Sequence, residues 1–480
     1  MSGTMRSWET RSNAKEATVP TGRNFLITGG IVLPMEGQRQ SYDPGSVLVL
    51  DGSIAAVGTV DELSAHPAAA NVEVVDASKQ VVMPGMHNCH LHSGLLRGTA
   101  EGLALWEWLE NYIDPAHRAL TPEIAQAASF MAYTEGLRGG TTSVLDMWRF
   151  MEGSAAAAEA VGIRATLAPY TADFYDYFET LETNRRLLES HLTAADGRVR
   201  SWVGLEHIFY CSPEMFRGAA SLADEFGTGI HTHSSESIWE VQECLRQFGR
   251  RPIEEMFNRG ILGSDTVIAH GVWLDDREVQ LLVQTGTSVT HCPCSNMKLA
   301  SGPARVGYYR EQGLTVALGT DGEKENNNLD MLEEMKFASL LWKVSTLDPT
   351  VGEPWDILDM ATREGAKALG LDEVTGTLEE GKDADIVMVD LRSLHFVPLL
   401  HGEYFNAPAH LVFTASARDV SNVWVKGQHL VEDGEVISVD VADVAVRAQS
   451  AAEELFERRS ALHGNTPSPA TDLGKNVPQI

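Results

Sequence analysis

From about residue 81 the chain alternates short apolar runs with stretches whose apolar positions recur at helical spacing. The apolar runs predict eight strands, ending at His92, Asp146, Tyr170, His207, His233, His270, His291 and Asp321. Helix signals lie between them. Thr121 is placed to cap a helix with Pro122 in its first turn, running to Leu137 and stopping at Gly139-Gly140. A second helix covers Pro213 to Phe226 and ends at Gly227. Eight strand–helix repeats over roughly 240–280 residues are what a (β/α)8 barrel requires. The predicted class is therefore α/β, a TIM-type barrel.

Flanking segments read differently. Residues 24–80 show short strands with turns, at Phe25-Leu26-Ile27-Thr28, Ser46 to Gly52 and Ser53 to Gly58. Residues 385–438 show similar ones, at Asp385 to Asp390, Val423 to Gly427 and His429 to Val436. Neither piece alone has enough strands to be stable, so the two are predicted to pair into one small β-sandwich built from both chain ends. The expected division is a composite sandwich of 24–83 plus 381–440, a barrel over 84–380, and a C-terminal helix and tail over 441–480. Residues 1–23 are expected to be disordered, as is the Ser-, Pro- and Gly-containing tail from Asn465.

Composition narrows the function classes. A formal charge of −30 over 480 residues argues against nucleic acid, whose binding depends on clustered Lys and Arg. No apolar stretch of about 18 residues predicts a membrane span, no basic run suits an anionic membrane surface, and Met1 to Arg23 lacks the apolar core of a secretory signal. Five cysteines, few and odd in number, fit a reducing cytoplasm. Cys292 and Cys294 form a C-x-C without a second pair nearby, and read as buried strand-end residues.

The candidate chemistry sits at the strand ends, where a barrel gathers its active site. His90 and His92 are two residues apart on one strand and so face the same way. With His233 and Asp321 at other strand ends they form a set of imidazoles and one carboxylate that suits a single divalent ion with a position left for water. Zinc is expected first, and Fe2+ accepts the same donors. His231 faces the same way as His233, but Glu236, three residues beyond, favours His233 as the ligand; His87 reads as structural.

Several motifs together resemble the amidohydrolase superfamily. They are Pro84-Gly85 leading to His90-x-His92, His233-Ser-Ser-Glu236, Ala269-His270, the run His291 to Gly302, Leu318-Gly-Thr-Asp-Gly322, and the closing Thr375 to Asp385. The likeness covers residues 24 to about 440. It is nearest the branch that holds methylthioadenosine/S-adenosylhomocysteine deaminase, guanine and 8-oxoguanine deaminases, and triazine hydrolases. The resemblance implies a metal-dependent aminohydrolase that releases ammonia when metal-bound hydroxide attacks an amidine carbon. Asp321 would take a proton from the water, His270 would orient the nucleophile, and Glu236 would protonate the ring nitrogen. His207 matches a position where relatives contact the heterocycle, and Trp106, in the segment after the first strand, is placed to stack on a flat ring.

Two departures bear on substrate. Nucleoside-acting relatives carry a Glu nine residues after the Trp matching Trp108, where it holds ribose hydroxyls; this chain has His117. Their arginine for a substrate carboxylate corresponds to the Pro169 region. Both differences favour a free purine base, a pterin, an aminopyrimidine or an aminotriazine over a nucleoside. A triazine chlorohydrolase and a methylthioadenosine/S-adenosylhomocysteine deaminase are the alternatives. The resemblance also implies a homo-oligomer, a dimer or larger.

Overall fold

The computed structural model describes residues 24–463 apart from 38, 100 and 104. The disorder expected for 1–23 and for the tail from Asn465 lies outside the described residues. The chain is mixed α/β.

Eight parallel runs follow the predicted order. They are Met86–Leu91, Thr141–Trp148, Arg164–Pro169, a pair of short strands at Val199–Ser201 and Val203–Leu205, Ile230–Ser234, Thr266–His270, Ser288–His291 and Val316–Leu318. With the short antiparallel strand Thr193–Ala194 at one edge, they form two five-stranded sheets. Val199–Ser201 pairs with the strand before it and Val203–Leu205 with the strand after it, so one run bent at Trp202 serves both sheets. At the opposite seam, the Asp321 amide donates to the His90 carbonyl at 3.0 Å.

Glycines allow both seams. A Cβ on Gly204 would lie 1.9 Å from the Pro169 carbonyl oxygen, and one on Gly319 would lie 2.8 Å from the His90 nitrogen. Any side chain at either position pushes the strands apart, and with them His90, Asp321 and the residues that follow Leu205.

Helices form where capping predicts. The Thr121 hydroxyl accepts from the Ile124 amide, opening the helix Pro122–Arg138. The Ser212 hydroxyl accepts from the Met215 amide, opening Pro213–Phe226, which stops at Gly227 in a left-handed conformation. The last helix, Val441–His463, agrees with its sequence reading. Among the described residues no helix is long and apolar enough to cross a membrane.

The two chain ends meet in one nine-stranded sheet. Gln80–Pro84 runs parallel to Phe25–Val32 on one side and antiparallel to Ile386–Asp390 on the other. Phe25, Ile27, Val47, Val82, Ile386 and Trp424 share an apolar cluster there.

A buried ion pair ties this sheet to the parallel strands. Arg164, 3% exposed on the third strand, donates to Asp385 at 2.6 and 3.1 Å and to Asp383 at 2.7 Å. Those carboxylates hold the guanidinium charged against the burial that opposes it. Replacing Arg164 with alanine leaves the buried Asp385 carboxyl without its guanidinium partner. The expected loss is about 3–5 kcal/mol of unfolding free energy, read from urea denaturation; a change under about 1 kcal/mol would mean the pair is dispensable.

Candidate metal centre and pocket

His90 and His92 stand at the end of the first parallel strand, His233 near the end of the fifth, and Asp321 just after the eighth. All four are buried. His92 Nε2 lies 3.0 Å from His233 Nε2. Asp321 Oδ1 lies 3.3 Å from His90 Nε2 and 3.5 Å from His92 Nε2.

Hydrogen bonds behind the cluster fix which nitrogens face it. A carbonyl only accepts, so His92 Nδ1 must donate to the Met147 carbonyl at 2.7 Å, and His233 Nδ1 to the Glu206 carbonyl at 2.7 Å. His231 Nδ1 likewise donates to the Val267 carbonyl at 2.9 Å. Its Nε2 then accepts from His90 Nδ1 at 2.8 Å. Burial lowers the pKa of all four rings and keeps them neutral. Each of His90, His92 and His233 therefore turns an unprotonated Nε2 inward, and His90 Nε2 has no hydrogen-bond partner. Burial opposes the charge on Asp321, but the adjacent histidines, His90 foremost, hold its carboxyl well below the usual carboxylate range.

Lone pairs of several imidazoles and a carboxylate thus crowd one point with no proton between them. A cation resolves that repulsion, and this donor set suits a divalent ion. His90, His92 and His233, and separately His90, His270 and Asp321, place ligand atoms within 4.8 Å of one another. His231 is the outer support that sets the His90 tautomer, and His87, fully buried, takes no part in either group.

Strain marks the same edge. Ser235, His270 and Asp321 are non-glycine residues with φ of 55°, 71° and 61°. Such backbone costs roughly 1–3 kcal/mol per residue and is held only where its surroundings enforce it. The turn at Ser235 is followed by Glu236, whose Oε1 accepts from the Ser301 hydroxyl at 2.9 Å and whose Oε2 lies 3.8 Å from His270 Nε2. Burial raises the Glu236 pKa, favouring a carboxyl that can carry a proton. His270 Nδ1 faces Asn296 Oδ1 at 3.1 Å, and its Nε2 lies 3.8 Å from Asp321 Oδ2. The Ser295 hydroxyl donates to Asp321 Oδ2 at 2.7 Å.

His92, His233, Glu236, His270 and Asp321 line one pocket together with Leu105, Trp106, Trp108, Leu109, Tyr170, Glu206, His207 and Leu299. Trp106 packs against His207 with ring centroids 5.6 Å apart and against Trp239 at 4.5 Å. His207 lines the pocket, but both of its nitrogens are engaged. Nδ1 accepts from the Phe209 amide at 3.3 Å, and Nε2 lies 3.3 Å from Glu240 Oε1. Burial works against its charge, yet Glu240 beside it holds the His207 pKa above the usual value. His117 is not among the lining residues; its ring stands edge-on to Trp148 and Tyr170, behind the Tyr170 side chain.

Sequence reading weighed His231 only as a rival ligand, and missed the supports Asn296, Ser295, Ser301 and Glu240. It also passed over Glu206, whose carboxyl burial pushes up to about 8.

Comparison with known proteins places this arrangement. A family model described as Amidohydrolase family matches residues 81–430. The chain is 38% identical over 440 residues to a 5'-deoxyadenosine deaminase of Methanosarcina mazei, covering 91% of this chain and 99% of that protein. It is 37% identical over 431 residues to a 5-methylthioadenosine/S-adenosylhomocysteine deaminase of Syntrophobacter fumaroxidans, covering 89% and 97%. The solved structure of an adenosine deaminase from Xanthomonas campestris with bound zinc superposes with a TM-score of 0.85 at 30% identity, covering 91% of this chain and 99% of that one.

Proposed function

The chain belongs to the amidohydrolase family, and on that premise we propose that it is a metal-dependent hydrolytic deaminase of an adenosine-type nucleoside. The observation that carries this reading is the cluster of three neutral Nε2 atoms, those of His90 and His92 lying 3.3 and 3.5 Å from Asp321 Oδ1, with Glu236 and His270 alongside. The departures at His117 and the Pro169 region favour a free base in the sequence; against that reading, the names of relatives 38% and 37% identical over nine-tenths of the chain favour an adenine ring bearing a sugar.

His90, His92, His233 and Asp321 would hold the ion, for which we assign zinc. When bound, it would supply the Lewis acidity that makes water reactive near neutral pH. Water adds to the ring carbon that bears the amino group. Asp321 accepts one water proton, and Glu236 gives its proton to the adjacent ring nitrogen, so that no negative charge accumulates on the heterocycle. The proton on Asp321 then passes to the amino group, the remaining hydroxyl proton passes to Glu236, and the C–N bond breaks, so that ammonia leaves with a ring carbonyl in its place and Glu236 is protonated again. His270, oriented by Asn296, lines the face from which water arrives.

We read the two parallel sheets as one closed (β/α)8 barrel, supported by the strand bent at Trp202 and by the hydrogen bond from the Asp321 amide to the His90 carbonyl. The nine-stranded sheet of 24–83 and 381–440 is then the small sandwich domain beside it. A cytoplasmic homo-oligomer acting on a small molecule completes the proposal.

Ammonia release from a panel of adenine, adenosine, 5'-deoxyadenosine, methylthioadenosine, guanine and an aminotriazine tests it. Turnover of the adenosine compounds is expected. Turnover of the triazine or guanine alone would overturn the nucleoside assignment, and no turnover with zinc loaded would overturn the deaminase reading.

A further inference from the structure

Glu206 follows the fourth parallel run and lines the same pocket as the ligand cluster. Its Oε1 accepts from the Tyr170 hydroxyl at 3.2 Å, while its Oε2 is buried without a hydrogen-bond partner. Of the other glutamates of the lining, Glu240 is engaged by the amides of Ser235 and Glu236 and by His207, and Glu236 by Ser301; Glu325 also leaves Oε2 unpartnered, but its Oε1 is paired with Lys324 at 2.8 Å. Among the described residues no cation lies within ion-pair distance of Glu206, and no Lys or Arg lines the pocket.

A buried carboxyl oxygen left unpaired is costly, and a ligand that brings a donor removes that cost. The place of Glu206 says which part of the ligand does so. Its own carbonyl takes the His233 Nδ1 proton, whereas Nε2 of that ring faces the cluster. The Glu206 carboxyl meets the hydroxyl of Tyr170, whose ring centroid lies 5.4 Å from that of His92 and 6.2 Å from that of His233, so the carboxyl is set off from the reacting centre, where a substituent on the heterocycle lies rather than the amidine itself. Sugar hydroxyls are donors of that kind, and a carboxyl group accepts from a pair of them. His207, the neighbour for which a ring contact is expected, has no free nitrogen for this task. The acidic lining acts in the same direction. A phosphate or carboxylate on the substrate would be buried among Glu206, Glu236, Glu240 and Glu325 with no Lys or Arg in the lining to pair it, which is strongly unfavourable.

Resting on the deaminase reading, we propose that Glu206 is a specificity-determining residue that accepts hydrogen bonds from sugar hydroxyls, so that the pocket selects uncharged nucleosides over free bases and over anionic nucleotides.

The test measures kcat and KM for adenosine, adenine and adenosine monophosphate with the wild type, Glu206→Gln and Glu206→Ala. It adds calorimetric binding of inosine and hypoxanthine to zinc-loaded Glu236→Gln protein, with and without Glu206→Ala. In the wild type, kcat/KM for adenosine should exceed that for adenine and for the monophosphate by about tenfold or more. Glu206→Ala should shrink the adenosine-to-adenine ratio by about tenfold, chiefly through KM for adenosine, and weaken inosine binding by a similar factor relative to hypoxanthine. The isosteric Glu206→Gln guards against misfolding and should fall between the two. An unchanged ratio in both variants, equal weakening of inosine and hypoxanthine, or a monophosphate used as well as adenosine would overturn the proposal. If the wild type released no ammonia, the deaminase reading would fail by itself, and the inosine–hypoxanthine comparison would still decide the role of Glu206.

Discussion

Stripping the protein with a chelator is expected to abolish ammonia release and lower the melting temperature, and one equivalent of zinc is expected to restore both. The coupling follows from the tautomers. Without a cation, His92 and His233 hold lone-pair nitrogens 3.0 Å apart, and Asp321 adds its charge beside His90 at 3.3 Å. Burial prevents these rings from relieving the repulsion by taking up protons near neutral pH. The ion therefore stabilises the folded chain as well as its reaction. A ligand held at a thousandfold excess over its dissociation constant adds about 4 kcal/mol. His233→Ala should reproduce the chelated state and resist rescue, because it removes a donor whose Nδ1 is already committed to the Glu206 carbonyl. Retention of full activity by metal-free protein, checked by elemental analysis, would sink the metal centre.

Much of the site is legible in the chain because it is built on strand ends, where position along the sequence fixes direction in space. His90 and His92 share a face by the two-residue repeat of a strand, and the predicted ends at His270 and His291 agree with the observed strands. The same rule could not separate His231 from His233, since both face one way. Partners separate them: the two nitrogens of His231 are taken up by the Val267 carbonyl and His90 Nδ1, whereas His233 Nε2 meets His92 Nε2. Left-handed backbone at Ser235, His270 and Asp321 leaves no local signal in non-glycine residues, although it governs how the chain continues past each strand. Contacts that cross the fold are equally silent. The closing Asp383 and Asp385 read only as a motif until Arg164, more than two hundred residues away, is seen between them. Trp106 reaches the pocket as its place after the first strand suggests, but His117 stands behind Tyr170, a distinction that spacing from Trp108 does not contain.

Glu236→Gln is expected to keep its zinc and its fold while losing turnover by about 10²–10⁴-fold, the span that general acid–base transfer typically contributes. Gln has the shape of Glu and retains an oxygen to accept from Ser301, whose hydroxyl lies 2.9 Å from Oε1. It has no proton of comparable acidity to give to a ring nitrogen. Glu236 is suited to hold one, because burial raises its pKa against the pull of His270. The loss should therefore fall on kcat, with KM nearly unchanged and metal content equal to wild type. That pattern separates Glu236 from the ligands, whose substitution should remove metal and activity together. A variant that turned over substrate at near wild-type rates would take Glu236 out of the reaction. A variant that lost its metal would show instead that the carboxyl braces the centre through His270, 3.8 Å from Oε2. Since Glu236 is held by Ser301 on one side and by the turn at Ser235 on the other, Ser301→Ala should cost less than the Gln variant. Its effect on kcat should follow the loss of one hydrogen bond, about 0.5–1.5 kcal/mol, or roughly two- to tenfold.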